Sequence, residues 1–219
     1  MNAIDTVIFD LDGTLLDTLD DLCAAVNHAL RTHGLPERTT QEIRSFLGNG
    51  IRRLMQLSVP ENMNEEDFEN VFRTFRTYYV AHCMDSTRPY PGIMPLLEAL
   101  KARGVKMAIV SNKVHTAVQE LNRRFFDRYM TTAVGESATV RRKPNPDALL
   151  RALQEMGSLR ERALYVGDSE VDIETARNAG IPCVTVLWGF RDRDFLMRSG
   201  AEICIDRPSG LLDIIVPKQ

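Results

Sequence analysis

The stretch that decides the fold of this chain is Val7-Ile8-Phe9-Asp10-Leu11-Asp12-Gly13-Thr14-Leu15. Its apolar first half predicts a buried strand, and two carboxylates and a glycine turn follow at the carboxyl end of that strand. Because side chains alternate along a strand, Asp10 and Asp12 are expected on the same side. Two such carboxylates repel by about 4 kcal/mol near a protein surface, which indicates a cation or a proton between them. Taken alone, the segment also fits a strand that ends in an ordinary Asp-Gly turn.

The composition is that of an ordinary globular chain. The 219 residues are 44% hydrophobic and 26% charged, which is enough to build a core. The net charge of −3 provides no basic surface for nucleic acid or for an anionic membrane, and no apolar run is long enough to cross a bilayer. The four cysteines lack metal-ligand spacing, which indicates free thiols in a reducing compartment. We therefore expect a cytoplasmic protein that binds neither nucleic acid nor membranes.

Strand patterns alternate with helical patterns along most of the chain. Five further strands are predicted at residues 105–110, 131–134, 163–166, 182–186 and 203–205. Amphipathic helical segments that end at glycine lie between several of them. This alternation predicts an α/β fold with a parallel sheet that is covered by helices on both faces.

A helical region interrupts this alternation. Two capping boxes, Thr18 to Asp21 and Thr39 to Glu42, predict helix starts in it. An aromatic stripe at helix spacing predicts core rather than a cofactor site, and it consists of Phe68, Phe72, Phe75 and Tyr79. We expect a core domain from residues 1–16 and 89–219 and an inserted helical domain from residues 17–88, which two short connections would allow to act as a lid.

Polar residues that suit phosphate chemistry are predicted at the strand ends or helix starts. In an open parallel sheet, ligands bind beyond the carboxyl ends of the strands. Oxygen ligands suit a hard cation such as Mg²⁺, while a hydroxyl and a lysine suit a phosphate. Taken singly, each piece has a structural alternative: a helix cap at Ser111, a solvated Lys143, an Asp-Gly turn at Asp168 or a first-turn acid at Asp172. Lys143 precedes a helix that is predicted to begin near Asn145. The joint order of these pieces favours a site made of Asp10, Asp12, Ser111, Asn112, Lys143, Asp168 and Asp172.

Four motifs in this order resemble those of haloacid dehalogenase (HAD) superfamily phosphatases, in particular the phosphoglycolate phosphatase-like subgroup. They are Asp10–Leu15, Ser111-Asn112, Lys143-Pro144 and Gly167–Asp172, and they span nearly the whole chain. The second aspartate of the first motif is typical of the phosphate-handling branch of the superfamily. The resemblance implies a Rossmann-like parallel-sheet core with an inserted α-helical cap domain, and Mg²⁺ as cofactor.

The resemblance also implies catalytic roles. Asp10 would be the nucleophile that takes the phosphoryl group as an aspartyl-phosphate. Asp12 would protonate the leaving oxygen and then accept a proton from the hydrolytic water. Ser111 and Lys143 would hold the transferring phosphoryl oxygens.

The metal site would use the same end of the sheet. The resemblance implies that Asp10, the backbone carbonyl of Asp12 and Asp168 bind Mg²⁺. Asp172 would lie beside the metal or support its ligands.

The substrate assignment rests on the cap. Residues 46–52 resemble the cap loop of phosphoglycolate phosphatases, and two further stretches also resemble that group: Ser111-Asn112-Lys113 and Trp188-Gly189-Phe190. Asn49 and Arg52, together with Asn112, are the candidate substrate-binding residues, and Arg52 suits a substrate carboxylate. A plain helix–helix turn and a solvated arginine are the alternatives. Two positions depart from the proline and histidine that the group often has: Val114 and Asn145.

The sequence as a whole predicts a Mg²⁺-dependent phosphomonoester hydrolase for a small phosphorylated metabolite, with 2-phosphoglycolate as the best single substrate. A sugar-phosphate phosphotransferase of the β-phosphoglucomutase type and a pyrophosphatase are the alternative enzymes. A non-catalytic binding module is disfavoured because Asp10 and Lys143 are both present. We expect a monomer or a homodimer.

Overall fold

The computed structural model describes residues 4–130 and 132–215. The chain forms two compact units. One consists of the described residues up to Leu16 and from Pro89 onwards, and the other runs from Asp17 to Arg88. The strands are β1 (Thr6–Phe9), β2 (Leu16–Asp17), β3 (Arg88–Pro89), β4 (Lys106–Val114), β5 (Thr132–Glu136), β6 (Ala163–Gly167), β7 (Cys183–Val186) and β8 (Ile203–Ile205). The helices are α1 (Leu19–Thr32), α2 (Thr40–Phe46), α3 (Gly50–Ser58), α4 (Glu65–His82), α5 (Ile93–Ala102), α6 (His115–Phe125), α7 (Asp147–Met156), α8 (Glu170–Ala179), α9 (Arg193–Arg198) and α10 (Gly210–Ile215), with a 3₁₀ turn at Arg160–Arg162.

Six strands form one parallel sheet in the order β5-β4-β1-β6-β7-β8, which confirms the predicted α/β fold. The apolar β1 lies between β4 and β6 and is buried along its whole length. Phe9 at its end is in register with Ile109 of β4 and Val166 of β6. The residues that follow these three strands therefore meet at one edge of the sheet. The third predicted strand, residues 131–134, begins at Thr131, which lies outside the described residues.

Three of the boundaries that differ from the predictions affect the site residues. The first strand ends at Phe9, so Asp10 and Asp12 follow it rather than alternate along it. β4 continues to Val114 and α6 begins only at His115, so Ser111 lies in a strand and the helix-cap interpretation of it is wrong. The helix expected near Asn145 begins at Asp147.

The second unit contains α1 to α4. The predicted aromatic stripe is buried, and its successive rings on α4 stack with centroids 5.5–6.3 Å apart. Thr39 and Glu42 form the predicted capping box at the start of α2. The capping box predicted at Thr18 is wrong, because the Asp21 carboxylate instead accepts the Ser86 and Thr87 backbone N–H groups at 2.8 and 2.9 Å.

The four cysteines are free and partly buried. Among the described helices, none combines the length and the apolar character needed to cross a membrane.

Candidate active site

Three buried carboxylates converge at the carboxyl edge of the sheet. Asp10 follows β1, Asp168 follows the adjacent β6, and Asp172 lies in the first turn of α8. One carboxylate oxygen from each lies within 4.8 Å of the others. Parallel pairing of β1 and β6 brings the first two together, and the turn into α8 returns the third. We call this set the aspartate cluster.

Lys143 lies inside the aspartate cluster. Its Nζ atom donates to Asp10 Oδ1 at 2.8 Å and to Asp172 Oδ1 at 2.7 Å, and the residue is only 4% exposed. Its main chain is held by the Asn112 amide, which accepts the Lys143 N–H at 2.7 Å and donates to the Lys143 carbonyl at 3.3 Å. The solvated-lysine interpretation is therefore wrong. Asn112 acts here on the backbone of Lys143, and its direct contact with substrate stays a prediction.

The charges of the cluster do not balance within the protein. Three ionised carboxylates and one ammonium leave a net charge of −2 in a buried volume. Burial raises the pKa of Asp10 well above its usual range against the pull of Lys143, and repulsion by the other two aspartates adds to the rise. Burial and the charge of Asp172 raise the pKa of Asp168 to about 7. A divalent cation would neutralise this excess, and the oxygen donors are those that a hard cation prefers.

Asp172 differs from its two neighbours because its oxygens are already well bonded. Oδ2 accepts the Ser169 hydroxyl at 2.6 Å and the Ser169 and Asp168 backbone N–H groups at 3.1 and 3.2 Å. Burial would raise the pKa of Asp172, but the charge of Lys143 and the hydrogen bonds from the Lys143 and Ser169 side chains outweigh burial and lower it. Asp172 is therefore an ionised anchor for Lys143 and for the start of α8.

Tyr165 is a member of the site that sequence reasoning missed. Its hydroxyl donates to Asp172 Oδ1 at 2.9 Å and accepts from Lys143 Nζ at 3.1 Å. Burial and the neighbouring carboxylates raise the pKa of Tyr165, which keeps it a neutral donor. In the sequence it is one residue of an apolar strand, so no local signal distinguishes it.

Asp12 is held by a second residue that sequence reasoning missed. Lys113 Nζ lies 2.6 Å from Asp12 Oδ1, and the Lys113 side chain is mostly buried. The Lys113 backbone N–H also donates to the Ser111 hydroxyl at 3.1 Å. The signal was present, since Lys113 directly follows the Ser111-Asn112 motif. Its contact with Asp12 requires β4 to continue past Ser111 beside the end of β1.

Asp168 is enclosed by two glycines and two donors. Its Oδ1 accepts the Thr14 hydroxyl at 3.3 Å, and its Oδ2 accepts the Phe190 backbone N–H at 2.7 Å. A Cβ atom at Gly13 would overlap the Asp168 carboxylate, and Gly13 has φ +85°, which favours glycine. A Cβ atom at Gly189 would overlap both Asp168 and the Gly13 carbonyl. Both glycines are needed for the backbone to approach this carboxylate.

The predicted cap residues are described within the helical unit. Asn49 is the residue before α3, and its side chain makes no capping hydrogen bond. Arg52 pairs with Glu65 at 2.9 Å and with Glu69, and its guanidinium lies 5.1 Å from the centroid of the Phe68 ring. A substrate carboxylate would have to compete with these glutamates. The binding roles of Asn49 and Arg52 stay predictions.

Comparisons with known proteins agree on the family. The sequence profile of the haloacid dehalogenase-like hydrolase family matches residues 7–186. A phosphoglycolate phosphatase of Aquifex aeolicus is 34% identical over 95% of both chains. An N-acetylmuramic acid 6-phosphate phosphatase of Pseudomonas aeruginosa is 32% identical over 95% of this chain and 93% of its own. A crystal structure from Lactobacillus delbrueckii subsp. bulgaricus, considered to be a phosphoglycolate phosphatase, superimposes with a TM-score of 0.94 at 35% identity and covers 99% and 100% of the two chains.

Proposed function

The chain belongs to the haloacid dehalogenase-like hydrolase family, and on that premise we propose that it is a Mg²⁺-dependent phosphomonoesterase that works through an aspartyl-phosphate on Asp10. The predicted resemblance to the phosphatases of this family is confirmed, and the chain is an enzyme of that type. The observation that carries the proposal is the position of Lys143 between Asp10 and Asp172 beside Asp168. A lysine and an acidic cluster in one buried site suit a phosphate and a divalent cation together.

The metal would be held by Asp10 and Asp168, with the Asp12 backbone carbonyl as the further ligand that the family resemblance implies. Asp172 would support them from its hydrogen bonds to the start of α8. When bound, Mg²⁺ would neutralise carboxylate charge and so permit an anionic phosphate to approach.

The first chemical step is transfer of the phosphoryl group to Asp10. A carboxylate oxygen of Asp10 forms a bond to phosphorus while the bond from phosphorus to the ester oxygen breaks. Asp12 delivers its proton to that departing oxygen, so that an alcohol leaves. Ser111 and Lys143 would hold the phosphoryl oxygens during transfer, and Lys143 is fixed for this by Asn112 and Asp172.

The second step is hydrolysis of the acyl phosphate. Asp12, now a carboxylate, accepts a proton from water as the water oxygen attacks phosphorus. The bond between phosphorus and the Asp10 oxygen breaks, inorganic phosphate leaves, and both aspartates return to their starting states. Contact with Lys113 keeps Asp12 in one position through both steps.

The proposed substrate is a small phosphomonoester that also carries a carboxylate. The relative from A. aeolicus is a phosphatase of phosphoglycolate, and the relative from P. aeruginosa is a phosphatase of N-acetylmuramic acid 6-phosphate. Both compounds are carboxylic acids. We take 2-phosphoglycolate as the first candidate, and the second relative favours a sugar-acid phosphate as the other. The cytoplasmic location and the monomeric or dimeric state stay predictions.

Phosphate release from a panel of compounds tests this proposal. The panel contains 2-phosphoglycolate, sugar phosphates, nucleoside monophosphates and pyrophosphate, each with Mg²⁺ and with EDTA. We expect Mg²⁺-dependent release that is fastest with 2-phosphoglycolate and absent with EDTA. Release led by another compound would keep the mechanism and change the substrate. Release unaffected by EDTA would contradict the metal dependence.

Replacement of Arg52 by alanine tests the carboxylate recognition. If Arg52 leaves its glutamates to bind a substrate carboxylate, Arg52→Ala should raise KM for 2-phosphoglycolate by about tenfold, since a hydrogen bond to a charged group contributes roughly 1.5–3 kcal/mol. The KM for p-nitrophenyl phosphate should change little. The neighbouring exposed Arg53, changed to alanine, is the matched control. Equal effects on both substrates would show that Arg52 only holds α3 against α4.

A further inference from the structure

Two consecutive residues of the loop after β7 bind the segment that leads from β6 into α8. Phe190 donates its backbone N–H to Asp168 Oδ2 at 2.7 Å. Arg191 donates through Nε and Nη2 to the two oxygens of Glu170, at 2.9 and 3.1 Å. Asp168 and Glu170 are separated by one residue, so each loop offers two anchor points to the other.

The Glu170–Arg191 pair is a bidentate ion pair. Two parallel N–H···O bonds from one guanidinium to one carboxylate restrict both position and orientation. The Arg191 side chain is 10% exposed, and its Cζ atom lies 5.5 Å from the centroid of the Phe195 ring. Among the ion pairs of residues 4–130 and 132–215, Arg191 is the most buried arginine. With side chains 10% and 30% exposed, this pair is more buried than a solvated surface pair, which adds little to stability.

The same loop also touches the other side of Asp168. Trp188 Nε1 donates to the Thr14 carbonyl at 3.0 Å, and the Thr14 hydroxyl donates to Asp168 Oδ1. Gly189 leaves no room for a Cβ atom between Asp168 and Gly13. The loop therefore sets the surroundings of both Asp168 oxygens, one directly and one through Thr14.

We propose that Glu170 and Arg191 are positioning residues that orient Asp168 for the divalent cation. The inference rests on the proposed function, because it takes Asp168 as a metal ligand. Without the ion pair, the β7 loop keeps fewer anchors on the β6 loop, and the Phe190 N–H no longer stays on Asp168 Oδ2. The Asp168 carboxylate then adopts other orientations. Metal binding must fix the carboxylate in one of them, so the affinity for the metal falls.

Mg²⁺ binding to the substrate-free protein tests this role. Titration calorimetry measures the dissociation constant, and the fluorescence of Trp188, the one tryptophan of the chain, gives a second readout. We expect Glu170→Gln and Arg191→Lys each to raise the Mg²⁺ dissociation constant by roughly tenfold, as is common for groups that orient metal ligands. At saturating Mg²⁺, kcat should fall by a smaller factor, because the reacting groups themselves are unchanged.

A matched ion pair at the other end of the sheet is the control. Arg162 Nη2 lies 2.8 Å from Asp5 Oδ2, next to the amino ends of β1 and β6. Arg162→Lys should keep the wild-type dissociation constant. If Glu170→Gln does not fold, Arg191→Lys carries the test, because it retains the positive charge and loses only the two-pronged hydrogen bond.

The outcomes separate the two proposals. Wild-type affinity in both folded variants would overturn the positioning role and leave the metal site intact. Absence of Mg²⁺ binding by the wild type, or wild-type affinity in Asp168→Asn, would overturn the proposed metal site and the positioning role with it.

Discussion

Asp10→Asn should abolish phosphate release while the protein keeps its fold. The amide has almost the same shape as the carboxylate, and its oxygen can still accept the hydrogen bond that Lys143 donates to Asp10 Oδ1 at 2.8 Å. An amide oxygen is a far weaker nucleophile, so the aspartyl-phosphate no longer forms. We expect kcat to fall by at least about 10³-fold, as is usual when a covalent nucleophile is removed.

The stability of Asp10→Asn should not fall with its activity. The pKa of Asp10 is raised by burial, so its ionised form is costly in the folded state near neutral pH. The neutral amide removes that cost, and the free energy of unfolding measured in urea without Mg²⁺ should be equal to or above the wild-type value. Asp213→Asn, at an exposed position of α10, is the control for the same chemical change away from the site. Turnover within about tenfold of wild type would exclude Asp10 as the nucleophile.

Lys143→Ala should lower both turnover and stability. Removal of the ammonium leaves Asp10, Asp172 and the Tyr165 hydroxyl without their shared donor in a buried site. Loss of one partner from a buried ion pair typically costs about 3–5 kcal/mol of unfolding free energy. The phosphate also loses its positive neighbour, so we expect kcat to fall by at least about 10²-fold.

Two measurements distinguish the contributions of Lys143. Urea denaturation without Mg²⁺ gives the structural contribution, and kcat of the folded variant at saturating Mg²⁺ gives the catalytic one. Lys101→Ala, which removes an exposed lysine that donates to the Arg128 carbonyl at 2.8 Å, should change neither by much. A nearly normal kcat in folded Lys143→Ala would remove this lysine from the proposed chemistry.

The surroundings of Lys143 favour its protonated form. Burial disfavours the ammonium, but the attraction of Asp10 and Asp172 outweighs burial and raises the pKa of Lys143. The lysine is therefore held in its protonated form. It can act as a fixed positive charge, and it is not suited to donate a proton in the reaction.

Local patterns were sufficient for the fold and for most of the candidate site. The apolar run before Asp10 and the alternation of strands and helices predicted a parallel sheet, and the sheet confirms it. Since parallel strands end at the same edge, the order of motifs also predicted that Asp10 and Asp168 would meet. The helix spacing of the aromatic residues on α4 also predicted that they are buried in the core, because this pattern depends only on helix geometry.

Predictions failed where a side chain had a distant partner. The Thr18 to Asp21 pattern fits a capping box, but Asp21 binds Ser86 and Thr87, more than sixty residues along the chain. Lys143 taken singly fits a surface lysine, and only its place in the order of motifs predicted it in the site, because its two carboxylate partners come from other segments. No spacing rule relates such residues, since their contact depends on how the elements pack.

The sequence by itself determined the α/β fold, the family and the edge of the sheet that carries the candidate site, because periodicity, strand order and motif order are properties of the chain. Only the tertiary structure decided how each group is held: Tyr165 on Asp172, Lys113 on Asp12, and the β7 loop on Asp168. Burial and net charge at the site were also decided there. The physical reason is that pKa values, desolvation and ion pairing depend on distances between segments that are remote in sequence.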